Sequence, residues 1–264
     1  MATRIDCHNH ISMWTQDWKR VAARVAHLRR LGIDKSCNAN PAVDTSGDPK
    51  DMRERNDNVL ESMRRFPDFI LGLCYVNPGY ARAAQDEITR CIVDGGMVGL
   101  KLYYQYAIDE PVQFPVIERC IELGVPILMH AGHLVDPKEI ASQPRASSGE
   151  HFVEVARRYP EAMLICGHIG GGGDWEWQLK ALREAPSVYI DTSGSVIDAG
   201  MIEQCVRDLG VERLLFGTDM SAERGVGKIL DARITGRQRE MIFSGNFQKI
   251  LAARPAKREQ GDCT

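Results

Sequence analysis

The feature that most constrains this chain is a regular alternation of two kinds of segment. Short apolar runs recur at RIDCH (near 4–8), GIDKSCN (32–38), FILGLCYV (69–76), MVGLKLYY (97–104), VPILMH (125–130), AMLICGH (162–168), SVYIDTSG (187–194) and ERLLFGTD (212–219). Each is Leu-rich or β-branched and bounded by Gly, Pro or Asp, as expected for parallel strands covered on both faces. Between them lie longer stretches of helical periodicity. WKRVAARVAHLRRLG places Val21, Val25, Leu28 and Leu31 on one face, and ERNDNVLESMRRF, ARAAQDEITRCIV, FPVIERCIELG, GEHFVEVARRY and AGMIEQCVRDLG behave alike. Gly32, Gly124 and Gly210 fall just past such stretches, where a left-handed C-cap is expected. Eight strand-then-helix units with no linker predict an α/β chain folded as a single (β/α)8 barrel over residues 1–253. An open doubly wound sheet is the alternative, because closure is not written in the pattern. RQREMIFSGNFQKILAA reads as two short helices joined by a Gly-Asn turn, and residues 254–264 as a polar, disordered tail.

Composition narrows the classes. A net charge of −3 with no basic block argues against nucleic acid, and no apolar run is long enough to span a bilayer. No apolar segment follows the N-terminal Met1, so no secretory signal is read. Eight scattered cysteines without a CxxC pair point to reduced, buried thiols and a cytoplasmic location.

Barrels of this kind carry function at the C-terminal ends of their strands. Five predicted strands end in a residue able to bind a metal or carry a proton: His8 and His10, then Lys101, His130, His168 and Asp219. Of seven histidines only His27, His133 and His151 lie elsewhere. An HxH pair arises by composition alone roughly one time in five, so it is the co-location that carries weight. Residues i and i+2 of a strand share a face about 6.6 Å apart, which lets two imidazoles converge on one ion and turns Cys7 and Asn9 away. Imidazole and carboxylate donors suit Zn, Fe, Mn or Co, and such an ion turns bound water into hydroxide near neutral pH.

Other motifs yield less. Gly170–Gly173 lacks the Lys-Ser/Thr of a phosphate loop and reads as close backbone packing, with Asp174 as an N-cap. Asp191-Thr192-Ser193-Gly194 occurs once, in a βα chain, so it is not an aspartic-protease dyad; Asp191 or Ser193 can still orient a neighbouring group. Trp14, Tyr103 and Trp175 follow strand ends and are candidates to line a pocket for an organic substrate with an apolar or aromatic part.

DCHNH, GLKLYY, ILMHAGH, ICGHIGG, YIDTSG, LLFGTDMS and IFSGNFQKIL together resemble the amidohydrolase superfamily, specifically the amidohydrolase-2 branch of metal-dependent TIM-barrel enzymes, in order and over nearly the whole chain. The resemblance implies His8, His10, His130 and Asp219 as metal ligands, with Asp219 also moving the proton of the attacking water. It implies His168 as a second-metal ligand or an acid/base residue. Lys101 matches a position that is carboxylated and bridges two metals in binuclear relatives, and that serves other roles, such as holding substrate, in mononuclear ones. Relatives are often dimers or larger, which extends to this chain only as an analogy.

The expected activity is that of a metal-dependent hydrolase, zinc being the first choice of ion, cleaving an amide, lactone or ester bond of a small molecule. Non-oxidative decarboxylation on the same ligands is the alternative, disfavoured by short loops that leave little room for the lids of longer relatives. A non-haem di-iron oxygenase bridged by modified Lys101 comes next, and a metal-binding protein on a retired scaffold last.

Overall fold

Every apolar run forms a strand. The computed structural model describes residues 3–13, 15–43, 46–171 and 173–253; Trp14 and the tail 254–264 lie outside them. In chain order the elements are β1 (Ile5–Asn9), α1 (Trp18–Arg30), β2 (Lys35–Asn38), α2 (Pro49–Arg65), β3 (Ile70–Tyr75), α3 (Ala81–Ile88) and β4 (Gly99–Leu102). There follow α4 (Phe114–Leu123), β5 (Ile127–Met129), α5 (Pro137–Ser142), α6 (Gly149–Arg158), β6 (Leu164–Cys166), α7 (Trp175–Leu182) and β7 (Tyr189–Asp191). The last are α8 (Met201–Leu209), β8 (Leu214–Leu215), α9 (Ala222–Asp231), α10 (Gly236–Glu240) and α11 (Asn246–Ala252).

The strands lie side by side in sequence order and each is parallel to the next. At the seam, the Cys7 N–H donates to the Phe216 carbonyl (2.8 Å), and the Thr218 and Asp219 N–H groups both donate to the His8 carbonyl (3.2 and 2.8 Å). This is a (β/α)8 TIM barrel, nearly closed by regular pairing and joined by these bonds. Alternation along each strand divides the core. Ile127 and Met129, Leu164 and Cys166, and Leu214 and Phe216 pack outward against helices, whereas Leu128, Ile165 and Leu215 fill the interior.

Three expectations are corrected. Strict alternation turned Cys7 away from the mouth, yet it packs in the interior cluster with Cys37, Leu128 and Ile165. The reason is a register slip: Asp6 pairs with Ser36 and Asn9 with Asn38, three steps against two, so one residue bulges and both Cys7 and His8 face inward. Gly245-Asn246 is not a turn. Both residues keep right-handed helical angles and the chain runs on through a π turn, with the Asn246 side chain donating to the Val211 and Leu214 carbonyls. Gly124 is the left-handed cap expected (φ 59°, ψ 41°); Gly210 has the positive φ expected (87°) but a ψ of 141° outside the left-handed helical region, and a 3-10 turn begins immediately after it.

The seven described cysteines are buried and free, and no described helix is long and apolar enough to cross a membrane. Leu128, 1% exposed, stands at the centre of the interior cluster. Leu128→Ala is expected to cost about 2–5 kcal/mol in urea unfolding, from lost burial and the cavity left behind.

Candidate metal centre at the barrel mouth

The mouth is organised from behind by a carboxylate. Asp6, fully buried, accepts five hydrogen bonds: from the His8 and Thr218 N–H groups on Oδ1 (3.1 and 3.0 Å), and from Asn9 Nδ2, Ser36 Oγ and Thr218 Oγ1 on Oδ2 (2.8, 2.9 and 2.7 Å). These donors come from β1, β2 and the segment after β8, so one side chain ties together the strands that carry His8, His10 and Asp219. Burial pushes the Asp6 carboxyl up to about 7 against the effect of those bonds.

In front of it, His8 and His10 converge on Asp219. Their Nε2 atoms lie 3.8 and 3.2 Å from Asp219 Oδ1. Each ring is fixed at its other nitrogen: His8 Nδ1 donates to Asp191 Oδ2 (2.8 Å), and His10 Nδ1 to the Ala39 carbonyl (2.8 Å). With Nδ1 donating, each ring keeps Nε2 as the nitrogen on the Asp219 side, the arrangement by which a metal-ligating imidazole is commonly oriented. His8, His10 and Asp219 therefore form a donor group whose ligand atoms lie within 4.8 Å of one another. His8, His168 and Asp191 form a second such group, but its His8–Asp191 pair is already joined by the hydrogen bond.

Lys101, fully buried, points inward between the outward-facing Leu100 and Leu102, and its Nζ donates to His8 Nε2 (2.8 Å). Burial pushes its ammonium down to about 8 despite Asp219 and Asp191 nearby. Burial and Lys101 hold His8 at about 4, so the ring is neutral at physiological pH. Burial also raises the Asp219 carboxyl, but the close approach of His168, His10 and His8 outweighs it and holds Asp219 well below the usual carboxylate range.

His168 and His130 form a relay beside this group. Gln143 Oε1 accepts from His130 Nε2 (2.9 Å), so His130 Nδ1 is left to accept from His168 Nε2 (3.0 Å). His168 Nδ1 then accepts from the Ser193 hydroxyl (3.0 Å) and lies 3.5 Å from Asp219 Oδ2. Ser193 is set by its own N–H bond to Asp191 Oδ1 (2.8 Å). Thus Asp191 and Ser193 orient His8 and His168. His130 is in neither donor group; its Nε2 is engaged by Gln143 and its Nδ1 by His168. The non-glycine residues with left-handed backbone among those described are His168 (φ 65°), Asp219 (φ 43°) and Met220 (φ 67°). Strain of this kind concentrates at functional sites.

Among the aromatic candidates, the Tyr103 ring lies 4.4 Å from the His130 ring and 5.8 Å from Lys101 Nζ. Trp175 donates to Asp198 (2.8 Å) at the start of α7 and does not line the mouth cavity among the described residues; Trp14 lies outside them. Gly170, Gly171 and Gly173 serve close packing, since a side chain at each would collide with Val196, His168 or His133. His27 pairs with Glu223, and His151 caps α6 through the Ser148 N–H. Asp6 and Gln143 were missed. Asp6 stood in the DCHNH stretch without a role, and Gln143 follows a six-residue helix too short to register as periodic.

Two cavities adjoin the site. The smaller, about 240 Å³, contains His130, His168 and Asp219 with Gln143, Glu139 and Arg224. The larger, about 390 Å³, touches the set only through His10. In the smaller one the half-open Asp219 carboxylate meets two imidazoles.

The Amidohydrolase family model, that of the amidohydrolase-2 branch, matches residues 5–249. The chain belongs to the amidohydrolase-2 family. It is similar to the 2-amino-3-carboxymuconate-6-semialdehyde decarboxylase of Dictyostelium discoideum, 20% identical over 240 residues that span 76% of this chain and 66% of that protein. A 2,6-dihydroxybenzoate decarboxylase from Rhizobium superposes with a TM-score of 0.74 at 17% identity, over 96% of this chain and 99% of that one. A dihydroxybenzoic acid decarboxylase from Polaromonas sp. JS666, holding manganese and the inhibitor 2-nitroresorcinol, matches with a TM-score of 0.71 at 16% identity, over 97% and 99%. The family and the His/Asp group together support a divalent metal here.

Two outcomes follow from burial at the mouth. His8 and His168 are held at about 4, and His130 well below its ordinary 6.5. The unfolded chain therefore binds more protons than the folded one between about pH 6.5 and 4, and stability falls as pH drops through that window. Asp6, raised to about 7, acts in the opposite sense above 3.8, one carboxyl against three imidazoles. The melting temperature of metal-stripped protein should fall from pH 7 to pH 5, with a shallower slope in His168→Asn. Asp6→Ala, which removes the acceptor of five hydrogen bonds, should cost at least about 3 kcal/mol in urea unfolding.

Proposed function

We propose that this enzyme is a metal-dependent non-oxidative decarboxylase acting on a small aromatic or otherwise conjugated acid. The observation that carries the reading is the match to a dihydroxybenzoate decarboxylase over 96% of this chain and 99% of that one. Together with the match to a second decarboxylase, it favours decarboxylation, first set as the alternative, over the hydrolysis first expected.

His8, His10 and Asp219 would hold one divalent ion, and His130 would be a further donor once its Nε2 bond to Gln143 is exchanged. Manganese, found in the Polaromonas relative, suits imidazole and carboxylate donors as well as the zinc first expected. When bound, the ion supplies Lewis acidity to a substrate oxygen. One ion per chain is the better count, because Asp191 is engaged with His8 and Ser193 with His168. On that count Lys101 acts as an uncarboxylated amine that holds His8 or substrate.

The overall conversion, R–CO2⁻ plus H⁺ to R–H plus CO2, breaks a C–C bond, leaves its electron pair on the organic fragment and delivers a proton to that carbon. Conjugation to an oxygen makes the electron pair tolerable, which is why the substrate must be unsaturated. Asp219 is ionised at rest, so it first takes a proton, for example from a substrate hydroxyl, and then returns it to carbon. His168 Nδ1, 3.5 Å from Asp219 Oδ2, is placed to accept a hydrogen bond from that carboxyl while it carries the proton. Tyr103 beside His130 offers a ring face to a planar substrate.

Protein loaded with manganese and offered hydroxybenzoic acids in D2O should release CO2 and place one deuterium at the vacated carbon. Asp219→Asn should lower kcat by about 10²–10⁴-fold. Oxygen-18 from water entering an organic product without CO2 release would return the assignment to a hydrolase, and two metals per chain would overturn the one-ion site.

A further inference from the structure

The larger cavity, about 390 Å³, opens between α1 and α9 and shares only His10 of the metal-binding set. Its size falls in the range of small-molecule sites. His10, Ile11 and Met220 line its inner side, and Leu28 and Ala23 belong to α1. Arg20 and Arg24, one helical turn apart, also line it. Neither has a carboxylate within ion-pair distance among the described residues, unlike Arg55, Arg90 and Arg183 elsewhere on the surface. Arg24 donates to the Ile11 carbonyl (2.6 Å), and Glu223, the carboxylate lining the cleft, is taken by His27 (2.7 Å). Like charges at this spacing repel, and burial together with Arg20 pushes the Arg24 guanidinium below its ordinary value.

Two uncompensated arginines on the wall of a largely apolar cleft match one chemistry. A carboxylate answers two guanidinium forks with directed, charge-assisted bonds, while Leu28, Ile11 and Met220 reward an apolar body. We propose that this cleft is a second binding site, for a small organic carboxylate whose charged end bridges Arg20 and Arg24 and whose apolar body lies against Leu28 and Met220. The site does not depend on which reaction the mouth performs.

It adjoins the chemistry at two residues. His10 faces the cleft and presents Nε2 to Asp219 (3.2 Å). Met220 follows Asp219 in left-handed backbone and is 43% exposed. A ligand packed against Met220 braces this strained turn from outside the mouth cavity, so occupancy of the cleft is felt at Asp219.

Benzoate is a suitable probe, titrated by calorimetry into metal-loaded protein. Ala23 is exposed on α1, and Ala23→Phe fills the cleft without touching the mouth. Ala23→Phe should bind one benzoate fewer than the parent chain, and Arg20→Gln should weaken that site at least tenfold. Inorganic phosphate, which has no apolar body, should bind far more weakly than benzoate. Equal stoichiometry and affinity in Ala23→Phe and the parent, or no benzoate uptake by the parent, would overturn the site. Phosphate binding as tight as benzoate would overturn its organic specificity.

Discussion

The arrangement at the barrel mouth depends on one buried carboxylate. Asp6 gathers donors from β1, β2 and the segment after β8, and so holds together the seam at which the barrel closes. His8 and His10 lie on one side of that seam and Asp219 on the other. Their convergence within 4 Å is a consequence of closure, not of anything local to either strand. A buried carboxylate is expensive unless its lone pairs are met, and five donors meet them. The energy that offsets its burial therefore also fixes the geometry of the donor group.

In front of Asp6 the electrostatics are layered. Burial keeps His8, His130 and His168 neutral, while Asp191 and Asp219 stay ionised. The rings are not interchangeable, because each has a different partner at its second nitrogen: Asp191, the Ala39 carbonyl, Gln143 or Ser193. Those partners decide which lone pair faces the cavity. Lys101 is a buried amine brought near neutrality among these groups, able to yield His8 Nε2 to a cation. Such a set of donors suits a divalent metal.

Much of this was legible from residue order, for physical reasons. Strands buried on both faces must be apolar, so the eight runs marked the barrel, and reactive groups at their ends stood out. What misled was the assumption of uniform geometry. The register slip between Asp6 and Asn9 turned Cys7 inward, and a bulge leaves no compositional trace. Gly245-Asn246 looked like a turn because those residues favour turns in isolation; bonds from Asn246 to Val211 and Leu214 kept it helical. Gln143 and the α5 segment escaped notice because six residues do not make a period.

The sequence by itself determined the alternation, the parallel α/β class and the residue types at the strand ends, since burial and periodicity act locally and repeat eight times. Only the tertiary structure decided which side chains meet. His8 with Asp191, His168 with Ser193 and Gln143 with His130 are contacts between separate βα units, set by barrel closure and loop path. Arg20 and Arg24 could be read as an exposed basic face of α1. That they line a cleft with no acid partner among the described residues depends on where α9 packs after β8, and chain order alone does not specify that distance.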